Sequence, residues 1–169
     1  PTDTLGALDR PATVRPLLAH IPQHQPVADA VGPEPTGRQH TAVLVDRFSG
    51  DGRFSSVSVD SVEGGRMAVQ HLIDTGRRRI AFVGGPFEIR QVTDRLAGAR
   101  VAVENSDEPV DIEVIATGAL TVAEGAAAGA RILERPRREW PDALFAANDL
   151  LALGLLQGLV VDGRMLVPH

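Results

Sequence analysis

The sequence predicts an α/β domain in which a parallel sheet is flanked by helices. Three observations carry that expectation. From Thr41 onward, short apolar runs of strand length alternate with longer stretches of helical period, in the order β-β-α-β-α-β-α-β-α. Strands separated by helices pair in parallel through right-handed crossovers. The run Arg79-Ile-Ala-Phe-Val83 is almost wholly apolar, as a strand covered on both faces must be. Helix-start signals stand where this order needs them: Asp60 precedes Glu63 by three residues and Thr121 precedes Glu124 by three, the spacing of a capping box.

The elements follow in chain order. Ala42-Val-Leu-Val45 is a short strand ending at Asp46 and Arg47, and Ser49-Gly-Asp-Gly52 is a turn. Ser56-Val-Ser-Val-Asp60 alternates polar and apolar like a strand. Asp60 then caps a helix whose Val62, Val69, Leu72 and Ile73 share one face, and Gly76 suits its stop. After the Arg79–Val83 strand, Gly84-Gly-Pro86 makes a turn. A second helix runs from about Val92 to Glu104, with Val92, Leu96, Ala99 and Val103 inward. Ile112–Ala116 is a strand. Thr121 opens a helix to Leu133, and Pro136 and Pro141 bound a loop. Ala143–Ala147 is the last strand, followed by a helix from Asp149 to about Leu159.

Composition narrows the function classes. Of 169 residues, 43% are hydrophobic and 23% charged, an ordinary balance for a globular domain with a sizeable core. Aromatics are only 4%, so that core is built from Val, Leu, Ile and Ala. The net charge of −5 argues against a surface that grips DNA phosphates by itself. With no cysteine there is neither a disulfide framework nor a thiolate zinc site. No apolar run has membrane-spanning length and no signal peptide is visible, so no membrane partner and a cytoplasmic location are expected. Residues 1–40 hold seven of the twelve prolines and are read as irregular. His20 and His24 are spaced like a helical metal pair, but Pro22 lies between them and no acidic ligand pattern follows, so no metal or other cofactor is expected.

In sheets of this kind, ligands sit outside the carboxyl ends of the strands. That rule singles out Asp60 and Ser61, residues 84–95, residues 117–121, and Asn148 with Asp149. Gly84-Gly-Pro86 lacks the spacing of a dinucleotide or phosphate loop. Asn148 stands where a strand becomes a helix: it is either the helix cap or a ligand contact, because its amide both donates and accepts. Asp149 serves either as a first-turn acid favoured by the helix dipole or as a ligand contact. Arg95 in the first turn of its helix is an electrostatically poor placement, which points either to a ligand carrying acceptors or to a salt-bridged surface residue. Arg77-Arg-Arg79 closes a helix and His71 lies on its surface. No spacing of nucleophile, base and acid suggests an enzyme.

Taken in order, Ala42-Val-Leu-Val-Asp-Arg47, Val57-Ser-Val-Asp60, Gly64-Gly-Arg-Met-Ala-Val-Gln-His-Leu72, Arg79-Ile-Ala-Phe-Val-Gly-Gly-Pro86, Arg95-Leu-Ala-Gly98 and the block from Phe145 to Gly154 resemble the effector-binding domain of the lactose-repressor (LacI/GalR) family. The resemblance covers Thr41 to about Val167. It implies a two-lobed, periplasmic-binding-protein-like fold, here mainly the C-terminal lobe. On this reading residues 41–60 are a remnant of the N-terminal lobe and residues 61–169 the C-terminal lobe, incomplete at its end.

The resemblance also implies a small-molecule effector, a sugar or a related molecule, sensed on behalf of a DNA-binding transcriptional regulator. DNA would be held only through a helix-turn-helix that this chain lacks, and a homodimer is expected. Arg95 and Asn148 match effector-contacting positions, with Asp149 beside them. Leu120 lies near the place where some members set an aromatic ring against the sugar, and an apolar Leu there argues against a stacked sugar. Two departures stand out: the proline-rich stretch to His40 does not follow the family pattern, and the family continues beyond residue 169. A solute-binding protein of a transport system and a non-functional gene fragment are the alternative readings.

Overall fold

The computed structural model describes residues 43–46, 55–161 and 164–165. The turn at 49–52 and everything expected of residues 1–40, the two histidines included, lie outside the described residues. Strands β1 (Val43–Val45) and β2 (Ser55–Val57) form a two-stranded parallel sheet, with Val43 opposite Ser55 and Val45 opposite Val57. The second strand ends before the expected Asp60, because Asp60 has turned to cap the next helix.

Helix α1 (Ser61–Asp74) starts with the Asp60 carboxylate accepting from the Glu63 backbone N–H at 2.9 Å. Only this half of the expected capping box forms. The Glu63 carboxylate instead takes two Arg66 guanidinium N–H groups at 2.7 and 2.6 Å. The buried stripe is Ser61, Gly65, Val69 and Ile73, every fourth residue. Val62 was expected inward, but it sits one residue off that stripe and is 41% exposed. Gly76, at φ 87°, closes the helix as anticipated.

Strand β3 (Arg79–Gly84) is the centre of a three-stranded parallel sheet, flanked by β4 (Asp111–Ala116) and β5 (Ala143–Ala146). Ile80 lies opposite Ile112 on one side and Ala143 on the other; Val83 lies opposite Ile115 and Ala146. The alternation of β3 divides the core. Ile80 packs with Val69 and Ile73 of α1 and with Ala99 and Ala102 of α2 (Arg90–Glu104). Ala81 and Val83 face the other way, toward Ala128 and Ile132 of α3 (Val122–Leu133) and Leu155 of α4 (Asp149–Gly158). Phe82 joins the first side and meets Phe145 edge to face, 5.4 Å between centroids. Helices on both faces explain why β3 reads as a continuous apolar run.

Each helix pair packs backbone to backbone. A Cβ on Gly98 would run into the Val62 carbonyl oxygen across the α1–α2 contact, and one on Gly154 into the Val122 carbonyl across α3–α4. Thr121 Oγ1 caps α3 through the Glu124 N–H at 3.3 Å, while the Glu124 carboxylate takes the Gly118 N–H rather than that of the cap. The proline-bounded loop holds a 3₁₀ turn, Arg137–Glu139. A final antiparallel pair, β6 (Val160–Val161) with β7 (Arg164–Met165), was not anticipated. Among the described residues no helix is long and apolar enough to cross a membrane.

Candidate functional site

The carboxyl ends of β3, β4 and β5 bring together three of the four residues picked out in the sequence. Asn148 is the last residue before α4. Its Oδ1 accepts from the Leu151 N–H at 2.9 Å, which caps the helix, and its Nδ2 donates to the Leu120 carbonyl at 3.4 Å. The Arg95 guanidinium donates through Nη1 to the carbonyl of the neighbouring Ala147. Arg95 therefore meets the β5–α4 junction from the helix side, and Leu120 meets it from the loop after β4. The Leu120 side chain is half-buried against the cluster of Phe82, Val92, Leu96, Ala147 and Leu151. Asp149 is the exposed first residue of α4, where a negative charge is favoured by the helix dipole.

One expectation about Arg95 is corrected. Helix α2 begins at Arg90 with Ile89 in the cap position, two residues earlier than its apolar pattern suggests, so Arg95 lies in the second turn and not the first. The unfavourable position relative to the dipole disappears, since that effect fades within one turn. What remains is a part-buried guanidinium already tied to a main-chain carbonyl.

A cleft of about 250 Å³ opens nearby, where β1, β2 and the start of α2 meet. Its polar lining is Asp46, Ser58, Asp60, Ser61, Arg90, Gln91 and Asp94. Gln91 Nε2 donates to the Asp46 carbonyl at 2.7 Å, joining α2 to the two-stranded sheet. Asp46 itself sits at φ 56°, a conformation that Asp tolerates better than most side chains. Arg90 and Asp94 pair at 3.3 Å. Among the described residues, two buried side-chain polar atoms have no partner, Ser61 Oγ and Gln91 Oε1. Gln91 and Arg95 are four residues apart on α2 and so share a face. The cleft lining does not include Arg95, Asn148, Asp149 or Leu120. A smaller cavity, about 170 Å³, lies at the amino ends of β3 and β4 beside Trp140.

On the electrostatic side, hydrogen bonds from Arg66 hold the Glu63 carboxyl below its ordinary range. No group of three His, Asp or Glu able to hold a metal occurs among the described residues. The strand-end rule had marked the windows that contain Ser61 and Gln91, but nothing in their local spacing distinguished these two side chains. Their lack of partners arises from packing between elements far apart in sequence.

The comparisons with known proteins bear on the family and the fold. The periplasmic binding protein-like domain matches residues 69–168. The HTH-type transcriptional regulator CelR of Thermobifida fusca is 39% identical over 110 residues, 65% of this chain and 32% of that protein. The ribose operon repressor of Escherichia coli (strain K12) is 32% identical over 153 residues, 90% of this chain and 44% of that protein. The crystal structure of a LacI family transcriptional regulator from Enterococcus faecium with bound ribose matches at a TM-score of 0.62 and 27% identity, over 71% of this chain and 43% of that one. The chain thus spans less than half the length of these relatives. Together with helices on both faces of a parallel sheet and polar groups gathered at its strand ends, these matches show that the chain belongs to the LacI/GalR family of transcriptional regulators, in its periplasmic-binding-protein-like domain.

Proposed function

We propose that this chain is the effector-sensing part of a DNA-binding transcriptional regulator, and that its effector is a sugar or a related small molecule. The observation that carries this reading is the convergence of Arg95, Ala147, Asn148 and Leu120 at the carboxyl ends of the sheet, where α/β folds bind ligands. Family relatives named for ribose, and one solved with ribose bound, support a sugar. In this reading β1 and β2, up to Asp60, belong to a first lobe, and residues from Ser61 onward belong to a second. Effector binds one arrangement of the lobes better than the other and so biases DNA affinity, which requires a real difference in binding free energy between the two states. DNA contact belongs to a helix-turn-helix outside these residues. The sensor works in the cytoplasm, performs no catalysis and pairs as a homodimer; the stripe Leu150, Leu153 and Leu156 on α4, each 49% exposed, supports the pairing.

Arg95, Asn148, Asp149 and Leu120 are the proposed effector contacts. The test is calorimetry with D-ribose and a panel of neutral mono- and disaccharides. Arg95→Ala and Asn148→Ala should each weaken binding of the responding sugar by about tenfold or more, the loss expected for a buried polar contact left unpaired. Binding unchanged in both variants rejects the site.

A further inference from the structure

We infer that the outer edge of β4 is a docking site for an extended, basic peptide segment of a partner protein, which adds to the sheet as a further strand. The inference goes beyond the effector-sensing reading and does not rest on it.

The backbone makes the first half of the case. The sheet order is β4-β3-β5, and among the described residues no strand lies on the other side of β4. The Asp111 N–H donates to the Arg78 carbonyl at 2.8 Å, and the Thr117 N–H to the Gly84 carbonyl at 3.2 Å. In a parallel pair every second residue turns both main-chain groups to the same neighbour. Residues 111, 113, 115 and 117 therefore face β3, while Ile112, Val114 and Ala116 turn outward. Arg131 donates to the Ala116 carbonyl at 3.2 Å and closes that end. The N–H and C=O groups of Ile112 and Val114 are left with no strand to pair with among the described residues. An unpaired strand edge is a template for an incoming chain, and extended peptides bind sheet edges in this way.

The side chains of the edge specify what the incoming chain carries. Asp111 and Glu113 share the face of Ile115, which packs with Ala128 and Ile132 of α3. Both oxygens of Glu113 accept from Arg135 Nη1 at 2.9 Å. Among the described residues the Asp111 carboxylate makes no hydrogen bond or ion pair. Its neighbour in register on β3 is Arg79, but that guanidinium donates to the Arg138 carbonyl at 2.6 Å. Beside Asp111 lies the cavity of about 170 Å³, bounded also by Glu113, Glu139, Trp140 and Pro141. Its Trp140 wall is fixed, because the indole Nε1 donates to the Arg135 carbonyl at 2.8 Å. An added strand runs roughly 5 Å from β4, so an Arg or Lys opposite Asp111 pairs with its carboxylate and has the cavity for its head group. On the opposite face Ile112 and Val114, the latter 39% exposed, favour apolar β-branched neighbours. The fitting segment therefore alternates basic and apolar residues.

The same acids argue against a second copy of this chain as the occupant. Two β4 edges paired about a two-fold axis would set the Asp111 and Glu113 of one copy beside those of the other, and like charges opposite one another destabilise a strand pair.

The test uses the purified chain and fluorescence anisotropy with two labelled, end-blocked peptides, Thr-Arg-Val-Arg-Val-Thr and the same peptide with Glu for each Arg. The basic peptide should bind at least about tenfold more tightly than the acidic one. It should slow amide hydrogen exchange at Ile112 and Val114. Asp111→Lys, a change at an exposed side chain, should weaken the basic peptide by about tenfold or more and strengthen the acidic one. Val114→Pro removes an N–H that the ladder with β3 does not use, so it should keep the circular dichroism spectrum and lose the peptide. If Val114→Pro fails to fold, Asp111→Lys and the exchange measurement decide alone. Equal binding of the two peptides, binding of neither, undiminished affinity in Asp111→Lys, or unchanged exchange at Ile112 and Val114 overturns the inference. So does a chain that sediments as a dimer without peptide, with Ile112 and Val114 already protected and both effects lost in Asp111→Lys, because a second copy then holds the edge.

Discussion

At Asn148 the two ends of one amide serve different structures: Oδ1 starts α4 through the Leu151 N–H, and Nδ2 ties the β5–α4 junction to the Leu120 carbonyl. These roles can be separated. Asn148→Ala loses both and should lower stability by about 1 kcal/mol, the usual worth of a helix cap, as read from urea unfolding. Asn148→Asp retains the acceptor and should unfold within a few tenths of a kcal/mol of the unaltered chain, since Asn and Asp cap about equally well. It also places an acceptor opposite the Leu120 carbonyl, so effector affinity should fall as far as in Asn148→Ala. If Asn148→Asp binds normally, the Nδ2 end has no part in recognition. Arg95 poses the same question of shared duty. Its guanidinium holds the Ala147 carbonyl, and the five N–H groups of an arginine leave others to meet a ligand.

The helices are positioned by close contact as much as by apolar burial. Gly98 leaves no room for a side chain because the α1 backbone at Val62 and Arg66 lies against it, whereas Gly64 has open space around it. The same substitution should therefore act in opposite directions. Gly98→Ala should destabilise by about 1–3 kcal/mol, because a packed backbone must shift to admit the methyl group. Gly64→Ala should stabilise by about 0.5–1 kcal/mol through helix propensity alone. Denaturant midpoints measured side by side check both, and equal effects would show that the α1–α2 contact is looser than the geometry implies. The elements themselves were largely legible beforehand. The α1 and α3 caps follow from Asp60 and Thr121, and the β3 run from its two covered faces. The start of α2 was misjudged by two residues because Ile89, Arg90 and Gln91 carry no cap signal, and the helix begins there without one. The β6–β7 pair was missed because strands of two residues leave no period to detect.

Over the whole molecule, the three-stranded sheet sends alternate β3 side chains into two cores, one under α1 and α2 and the other under α3 and α4. That arrangement leaves the outer stripe of α4 uncovered: Leu150, Leu153 and Leu156 are each about half exposed. If this stripe is the homodimer seam, Leu153→Asp should convert a dimer into a monomer in sedimentation velocity while leaving the circular dichroism spectrum unchanged, because burying a lone carboxylate across an interface costs far more than exposing it to water. A chain that sediments as a monomer without the substitution removes the stripe from consideration as a dimer contact.

The sequence by itself determined the class of fold, the order of elements, the helix caps and the strand ends at which to look for a ligand. These properties depend on spacings of two, three or four residues, which the local chain geometry dictates. It also carried the family pattern from Thr41 onward. Tertiary structure decided the rest: that Arg95 bonds to the Ala147 carbonyl 52 positions away, that Asn148 reaches back to Leu120, that Gln91 crosses to Asp46, and that Ser61 and Gln91 keep polar atoms without partners. Each of these joins segments brought together only when both faces of the sheet are covered, and no local spacing encodes which side chain is left with an unmet hydrogen bond.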